Sequence, residues 1–245
     1  MRESLAMRAR GLWGGLLLAE SRCAACGAVL SVPGDGLCPD CREELAPEAG
    51  ACCLGCGEPL PVPSLGGALC ARCLETPRAW GRALCYGRYQ GRLKELIWAY
   101  KFEGRLGCGR LLQDFALRAY EAGVAGGAGR YDALAPVPLH PRRLLARGFN
   151  QSRELARRIA ARHDLPIWDH ALRRVRRTTP QMRLAREERT QNIRGAFAAG
   201  EWRVSGAALL VVDDIMTTGA TLEECARILF AAGAKSVDVL AVARA

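Results

Sequence analysis

Aromatic side chains are scarce, with five Trp, five Tyr and five Phe in 245 residues. Proteins that grip single-stranded nucleic acid line a groove with stacked rings, so this scarcity argues against a dedicated platform of that kind. Salt-dependent binding to a phosphate backbone stays open. No apolar run approaches the ~18 residues that a membrane-spanning helix needs. No internal repeat appears beyond two cysteine quartets. Acidic side chains are sparse between Arg142 and Arg194, where the arginines crowd: Arg142, Arg143, Arg147, Arg153, Arg157, Arg158 and Arg162, then Arg173, Arg174, Arg176, Arg177, Arg183, Arg186, Arg189 and Arg194. Most of these read as a solvated face. Clustered arginine is nevertheless the footprint expected of a phosphate-binding protein. Apolar residues make up 50% of the chain, which marks it as globular, long enough for one full-sized core and a small appendage.

Near the start, Arg8 and Arg10 precede the apolar stretch Gly11 to Ala19, imitating a signal peptide. Glu20-Ser21-Arg22 makes a poor cleavage site, and a short amphipathic helix over residues 1–22 is the better reading. Twelve cysteines follow a spacing that points to metal rather than disulfides. Cys23-x2-Cys26 and Cys38-x2-Cys41 lie 11 residues apart, and Cys53-x2-Cys56 and Cys70-x2-Cys73 lie 13 apart. Each quartet suits a tetrahedral zinc ion, and Gly27 and Gly57 follow where a knuckle needs positive φ. Residues 23–75 thus read as a double zinc ribbon stabilised by two structural zinc ions, with little aliphatic core of its own. Cys52 competes with Cys53 as a ligand, though x2 spacing favours Cys53, and cross-braced pairing stays open. Thiolate ligands call for a reducing compartment, which implies a cytoplasmic protein. The formal charge is +10, and eight thiolates with two zinc ions bring it to about +6.

The run Leu209 to Thr221, LLVVDDIMTTGAT, carries the most chemistry. Leu209 to Val212 make a short buried strand, with Asp213 and Asp214 at its C-terminal edge. Thr217, Thr218, Gly219, Ala220 and Thr221 form a hydroxyl-bearing turn into a helix over 222–232. Backbone N–H groups and the helix dipole at such a turn attract a phosphate, and threonine hydroxyls add to it. Paired carboxylates one step away suit sugar hydroxyls or the water shell of a magnesium ion. Thr221 and Glu224 also fit a capping box. Two adjacent acids at a strand end repel each other unless something binds them.

Upstream, strands are expected at 83–89 and 132–137 and helices at 93–100, 111–120 and 150–162, with a final strand at 237–242. Strands alternating with helices give an α/β fold with an open, mostly parallel sheet over residues 83–245, entered through a linker at Thr76-Pro77-Arg78. Ligands of such sheets sit at the carboxyl ends of the strands. The segment Val137, Pro138, Leu139, His140, Pro141, Arg142, Arg143 leaves a strand there, followed by Arg147, Gly148, Phe149, Asn150 and Gln151. Its prolines limit the entropy lost on closing over a ligand. Arg143 and Arg147 supply planar donors for a diphosphate. Asn150 caps the next helix and Gln151 opens it.

The run from Leu209 to Thr221 resembles the phosphoribosyl pyrophosphate (PRPP) motif of type I phosphoribosyltransferases. That resemblance implies that Asp213 and Asp214 hold the ribose hydroxyls while Thr217 to Thr221 clasp the 5′-phosphate. The cysteine quartets, the proline–arginine loop, Arg177 to Ala198 and the aspartate motif together resemble the ComF family, whose members are linked to competence and DNA uptake. By that resemblance, Val137 to Arg143 face pyrophosphate, Thr179 to Asn192 include a hood with Gln181, Arg189 and Asn192 as candidates, and magnesium accompanies PRPP. Lys101 and Arg105 are further diphosphate candidates. Two functions follow: a transferase that moves phosphoribosyl groups, or a PRPP-sensing adaptor that binds single-stranded DNA or a DNA-uptake helicase.

Overall fold

The computed structural model describes residues 21–31, 36–48, 50–61, 68–105, 107–178, 186–201 and 204–245. The N-terminal helix expected over 1–22, Gln181 of the hood and the side chain of Arg189 fall outside these described residues, apart from Ser21 and Arg22.

The described elements run in the order α1 (Pro39–Glu44), α2 (Ala71–Glu75), β1 (Ala83–Arg88), α3 (Gly91–Phe102), α4 (Gly107–Ala125), β2 (Ala133–Pro136), α5 (Pro141–Arg147), α6 (Gln151–His163), β3 (Leu172–Arg174), α7 (Arg186–Ile193), β4 (Phe197–Ala199), β5 (Ala208–Met216), α8 (Ala220–Ala231) and β6 (Ser236–Arg244). Four strands form a parallel sheet in the order β1-β6-β5-β2, and β3 pairs with β4 in a small antiparallel hairpin. The parallel strands are rich in Val, Leu and Ala because both faces of the sheet are covered, leaving no polar side to alternate with.

The period-two alternation of a strand distributes these residues between two cores. Leu84, Tyr86, Leu134, Leu210, Val212, Leu240 and Val242 meet α3, α4 and α6 on one face. Ala133, Leu209, Val211, Val237 and Val239 meet α8 and the hairpin on the other. Full burial of side chains such as Ile97, Leu112 and Phe115 contributes ~1.5–3 kcal/mol each. Tyr86 stacks on Phe115 at 4.3 Å between ring centroids.

The first ribbon is not a separate appendage. Cys23, Ala25, Leu37, Cys41 and Leu45 belong to the same buried cluster as α3 and α4. Tyr86 donates its hydroxyl proton to the Leu45 carbonyl at 2.5 Å, and Arg92 pairs with Glu44. The sheet domain thus lends a core to the first ribbon, while Cys53, Cys56 and Cys73 of the second form a small cluster of their own. No described helix is long and apolar enough to cross a membrane.

Two segments at the carboxyl edge of the sheet extend beyond expectation. β5 continues through Asp213 and Asp214 to Met216 because β6 runs beside it to Arg244, pairing Asp213 with Ala241 and Met216 with Arg244. The acids therefore sit within the last turns of ladder rather than beyond it. The loop after β2 also folds further than its prolines imply. Pro141 occupies the first turn of α5, where its missing N–H costs nothing.

Candidate functional site

β2 and β5 are parallel neighbours, so the segments leaving their carboxyl ends share one edge of the sheet. Asp214 is 8% exposed and accepts from Lys101 Nζ on α3 at 2.8 Å. Asp213 Oδ1 accepts from Ser152 Oγ on α6 at 3.0 Å and from the Asp214 backbone N–H at 2.9 Å. Burial, then the charge of Asp214, push the Asp213 carboxyl up to about 7, against the pull of Lys101, the Asp214 N–H and the Ser152 hydroxyl. Two carboxylates held together in a poorly solvated place are prepared for a cation or for hydroxyl donors. Lys101 supplies part of that balance.

Thr217, Gly219, Ala220 and Thr221 line a small concavity with Ile215, Met216 and Leu222. Gly219 is the N-cap of α8 at φ 85°, a left-handed conformation that a β-carbon would oppose, and that atom would also meet the Trp80 ring at 2.9 Å. The expected capping box does not form. Glu224 Oε1 instead accepts from Gly195 N–H, and Thr218 Oγ1 accepts from Ala220 N–H at 3.3 Å.

The loop from β2 is anchored by several contacts within the chain. Val137 is buried, its N–H donates to Val212 O, and its carbonyl accepts from Asn150 Nδ2 at 3.1 Å. Asn150 also accepts from Ser152 N–H, so it caps α6 as expected. Pro138 is half-buried between these anchors and His140. Gln151 is 2% exposed, and its Nε2 has no hydrogen-bond partner. His140 Nδ1 accepts from Arg142 N–H at 3.3 Å, and partial burial with Arg174, Arg142, Arg177 and Arg143 nearby lowers its pKa, leaving it neutral near pH 7. It orients the turn into α5.

The arginines converge. Arg143 Nη2 donates to Thr178 O at 2.9 Å, and burial followed by Arg177 lowers its pKa. Arg147 lies 5.4 Å over the Phe102 ring, where burial lowers its pKa and Asp214 partly restores it. Arg174, from the stretch read as a solvated face, is drawn inward: it donates to Thr178 Oγ1 and lies 5.0 Å over Phe197. Burial and then Arg143 bring it down to about 10. Cations brought together in this way form a ready receptor for a polyanion.

Among the described residues two sets of four thiols are close enough to hold a metal, Cys23, Cys26, Cys38, Cys41 and Cys53, Cys56, Cys70, Cys73. This resolves Cys52 against Cys53 in favour of Cys53 and makes the pairing sequential rather than cross-braced. A tetrahedron with metal–sulfur bonds of about 2.3 Å has edges of about 3.8 Å. Cys26 and Cys38 Sγ are 3.7 Å apart, as are Cys56 and Cys70 Sγ. Burial resists ionisation of Cys23 and Cys53, but backbone N–H groups, including those of Cys38 and Cys70 respectively, bring the two thiols down to about 6 and about 7. Both quartets therefore fit structural zinc.

Comparison with known proteins agrees with this two-part construction. Residues 15–74 match the double zinc ribbon domain and residues 145–245 the phosphoribosyl transferase domain. The chain is 34% identical to the DNA utilization protein YhgH of Salmonella typhimurium, over 94% of this chain and 99% of the relative. The chain belongs to the ComF family. Competence protein F of Haemophilus influenzae is 29% identical over 91% of this chain and 97% of its own. Competence protein ComFC of Bacillus subtilis is 27% identical, with 82% and 80% covered.

In this ComF-family chain several site residues escaped the sequence. Ser152 is 61 positions from Asp213, and Arg78 reaches the Thr218 carbonyl across 140. No local pattern signals such pairs. Asp213 supplies a pH test. An unfolded aspartate ionises near 3.8 and the folded one near 7, so the folded state holds a proton that the unfolded state releases. Stability contributed by that proton is present at low pH and lost as pH rises through 7. Between pH 5.5 and 8, Asp213→Asn is expected to remove a decline of ~2 kcal/mol, the value of about 1.5 pK units. Parallel denaturation midpoints for wild type and variant across that window would contradict it.

Proposed function

We propose that this chain is a PRPP-binding, phosphoribosyltransferase-like protein serving DNA uptake and utilization, and that it transfers phosphoribosyl groups with magnesium assisting pyrophosphate departure. The carrying observation is the union, at one sheet edge, of a buried aspartate pair, a glycine-hinged threonine turn and convergent arginines. Asp213 and Asp214 are suited to the ribose hydroxyls, Thr217 to Thr221 to the 5′-phosphate, and Arg143, Arg147 and Gln151 to the diphosphate side. Magnesium bound with PRPP would neutralise charge on the departing pyrophosphate, and the acids would steady the ribose as positive charge grows at C1′. The names of the relatives, a competence protein and a DNA utilization protein, support the biological setting.

A non-catalytic adaptor that senses PRPP and contacts single-stranded DNA or a helicase is favoured by one further observation. Trp98 and Phe102 are 43% and 53% exposed, their rings 5.8 Å apart, with Arg147 over Phe102 beside the acids. Such a group offers stacking and a phosphate contact together. PRPP titration with magnesium and pyrophosphate release across a panel of bases and ammonia separate the readings. We expect binding, and release with at least one acceptor. Binding without release on any acceptor selects the adaptor, and absent binding rejects both. On the adaptor reading, Arg143→Ala with Arg147→Ala lowers the salt slope of a single-strand gel shift by about one for each phosphate no longer held.

A further inference from the structure

The second ribbon touches the threonine turn directly. Arg244, the last residue of β6, is 6% exposed. Its Nε donates to the Cys56 carbonyl at 2.9 Å and its Nη2 pairs with Glu58 at 3.1 Å. Its Nη1 donates to the Thr217 carbonyl at 2.7 Å and reaches the Met216 carbonyl at 3.4 Å. One guanidinium thus holds the knuckle after Cys53-x2-Cys56 against the start of the phosphate turn. A second brace comes from the linker. Trp80 Nε1 donates to Gly55 O at 2.8 Å while its ring packs on Gly219. Arg78 Nη1 donates to Thr218 O at 3.2 Å, and Ala79 N–H donates to Glu223 Oε1 at 3.0 Å.

These contacts fix more than position. The described peptide bonds are all trans, so the N–H of each peptide points opposite its carbonyl. With the carbonyls of Met216, Thr217 and Thr218 drawn towards Arg244 and Arg78, the N–H groups of Thr217, Thr218 and Gly219 face away from the ribbon, in the sense an anion requires. Contacts of the first ribbon lead elsewhere, to Tyr86, Arg92 and Cys108.

We propose that the second ribbon is a positioning element for the phosphate turn, acting through Arg244 and Trp80, so that metal at Cys53, Cys56, Cys70 and Cys73 and a 5′-phosphate at the turn strengthen one another. The proposal rests on the PRPP reading of the site. Coupling between binding sites is reciprocal, so the ligand must protect the metal as much as the metal assists the ligand. Arg244 touches neither metal nor ligand and is a positioning residue.

The experiment measures, at equilibrium, how zinc partitions between the full zinc-loaded chain and a chromogenic chelator, with and without PRPP and magnesium. One of the two zinc equivalents should be held about tenfold more tightly with ligand present, within the usual span of coupling between sites. In Arg244→Lys, which keeps the charge but loses the fork that spans both elements, protection should fall below about twofold while both zinc ions and the melting curve are retained. Equal protection in wild type and Arg244→Lys overturns the coupling. Should Arg244→Lys load fewer than two zinc ions, Trp80→Phe, which removes the N–H to Gly55 together with the outer ring atoms against Gly219, carries the same expectation and the same overturning result. Wild-type protein that binds PRPP without protecting either zinc also overturns the coupling; wild-type protein that fails to bind PRPP overturns the site reading instead.

Discussion

Asp213→Ala combined with Asp214→Ala is expected to abolish measurable PRPP binding, a loss of at least about a hundredfold, in a protein that still folds. Each carboxylate is suited to hydrogen bonds with ribose hydroxyls, and bonds to a charged group contribute ~1.5–3 kcal/mol apiece. Two such groups give ~3–6 kcal/mol, or two to four decades of affinity. The fold should survive because the pair strains it as well as supporting it. Removing Asp213 relieves a buried carboxyl whose charge burial and Asp214 both oppose. Removing Asp214 costs Lys101 its partner, yet Lys101 keeps a flexible stem and some access to solvent. The two changes partly offset each other. Calorimetric titration with PRPP and magnesium, beside a circular dichroism melt, checks both halves. A folded double variant with wild-type affinity would refute the site.

Chelation of zinc is expected to unfold more than the ribbons. A module merely tethered to the sheet domain would melt alone and leave the helical signal of α3 to α8 intact. Here the first quartet contributes Cys23 and Cys41 to the cluster that also contains Leu96, Ile97, Leu112 and Phe115. Apparent binding energies of structural zinc run ~10–16 kcal/mol, against a net stability of ~5–15 kcal/mol for a typical fold. Withdrawing two ions should therefore lower the melting temperature by tens of degrees and reduce helicity beyond the two short turns α1 and α2. Far-ultraviolet dichroism during titration with a strong chelator measures this. Loss confined to the ribbons, with the sheet domain melting unchanged, would show that the shared cluster carries little energy.

Features readable within a few residues of sequence were the ones legible beforehand. The cysteine spacing gave both quartets, since two knuckles present thiolates over a short span. The aspartate–threonine run gave the strand, turn and helix because all three are consecutive. Helical periodicity located α3, α4, α6 and α8 to within a few residues, α4 being the longer for its glycines and alanines. Illegible features were those decided by partners far along the chain. The strand beyond Val212 depends on β6, the uncapped start of α8 on Gly195 taking Glu224, and the inward turn of Arg174 on Phe197 and Thr178. Arg244 reads as an ordinary end to an apolar strand, although it joins the knuckle after Cys56 to the threonine turn. Residues 76–78 read as a spacer from composition alone, yet Arg78 is pinned to the turn.

The strand order carries a consequence for synthesis. β1 lies at the sheet edge with β6 as its neighbour, and 156 residues separate Ala83 from its partner Val239. A ribosome adding 5–20 residues per second needs about 8–30 s to deliver that partner. Through this interval β1 has no β6 to pair with, and once it leaves the ribosome its strand edge is a template for illicit pairing. Early zinc capture shields the sulfurs but does nothing for the edge. A premature stop between residues 222 and 235 would thus release a chain bearing the cysteine quartets, an open strand and a threonine turn without its Arg244 contact, a natural client for chaperones and proteases.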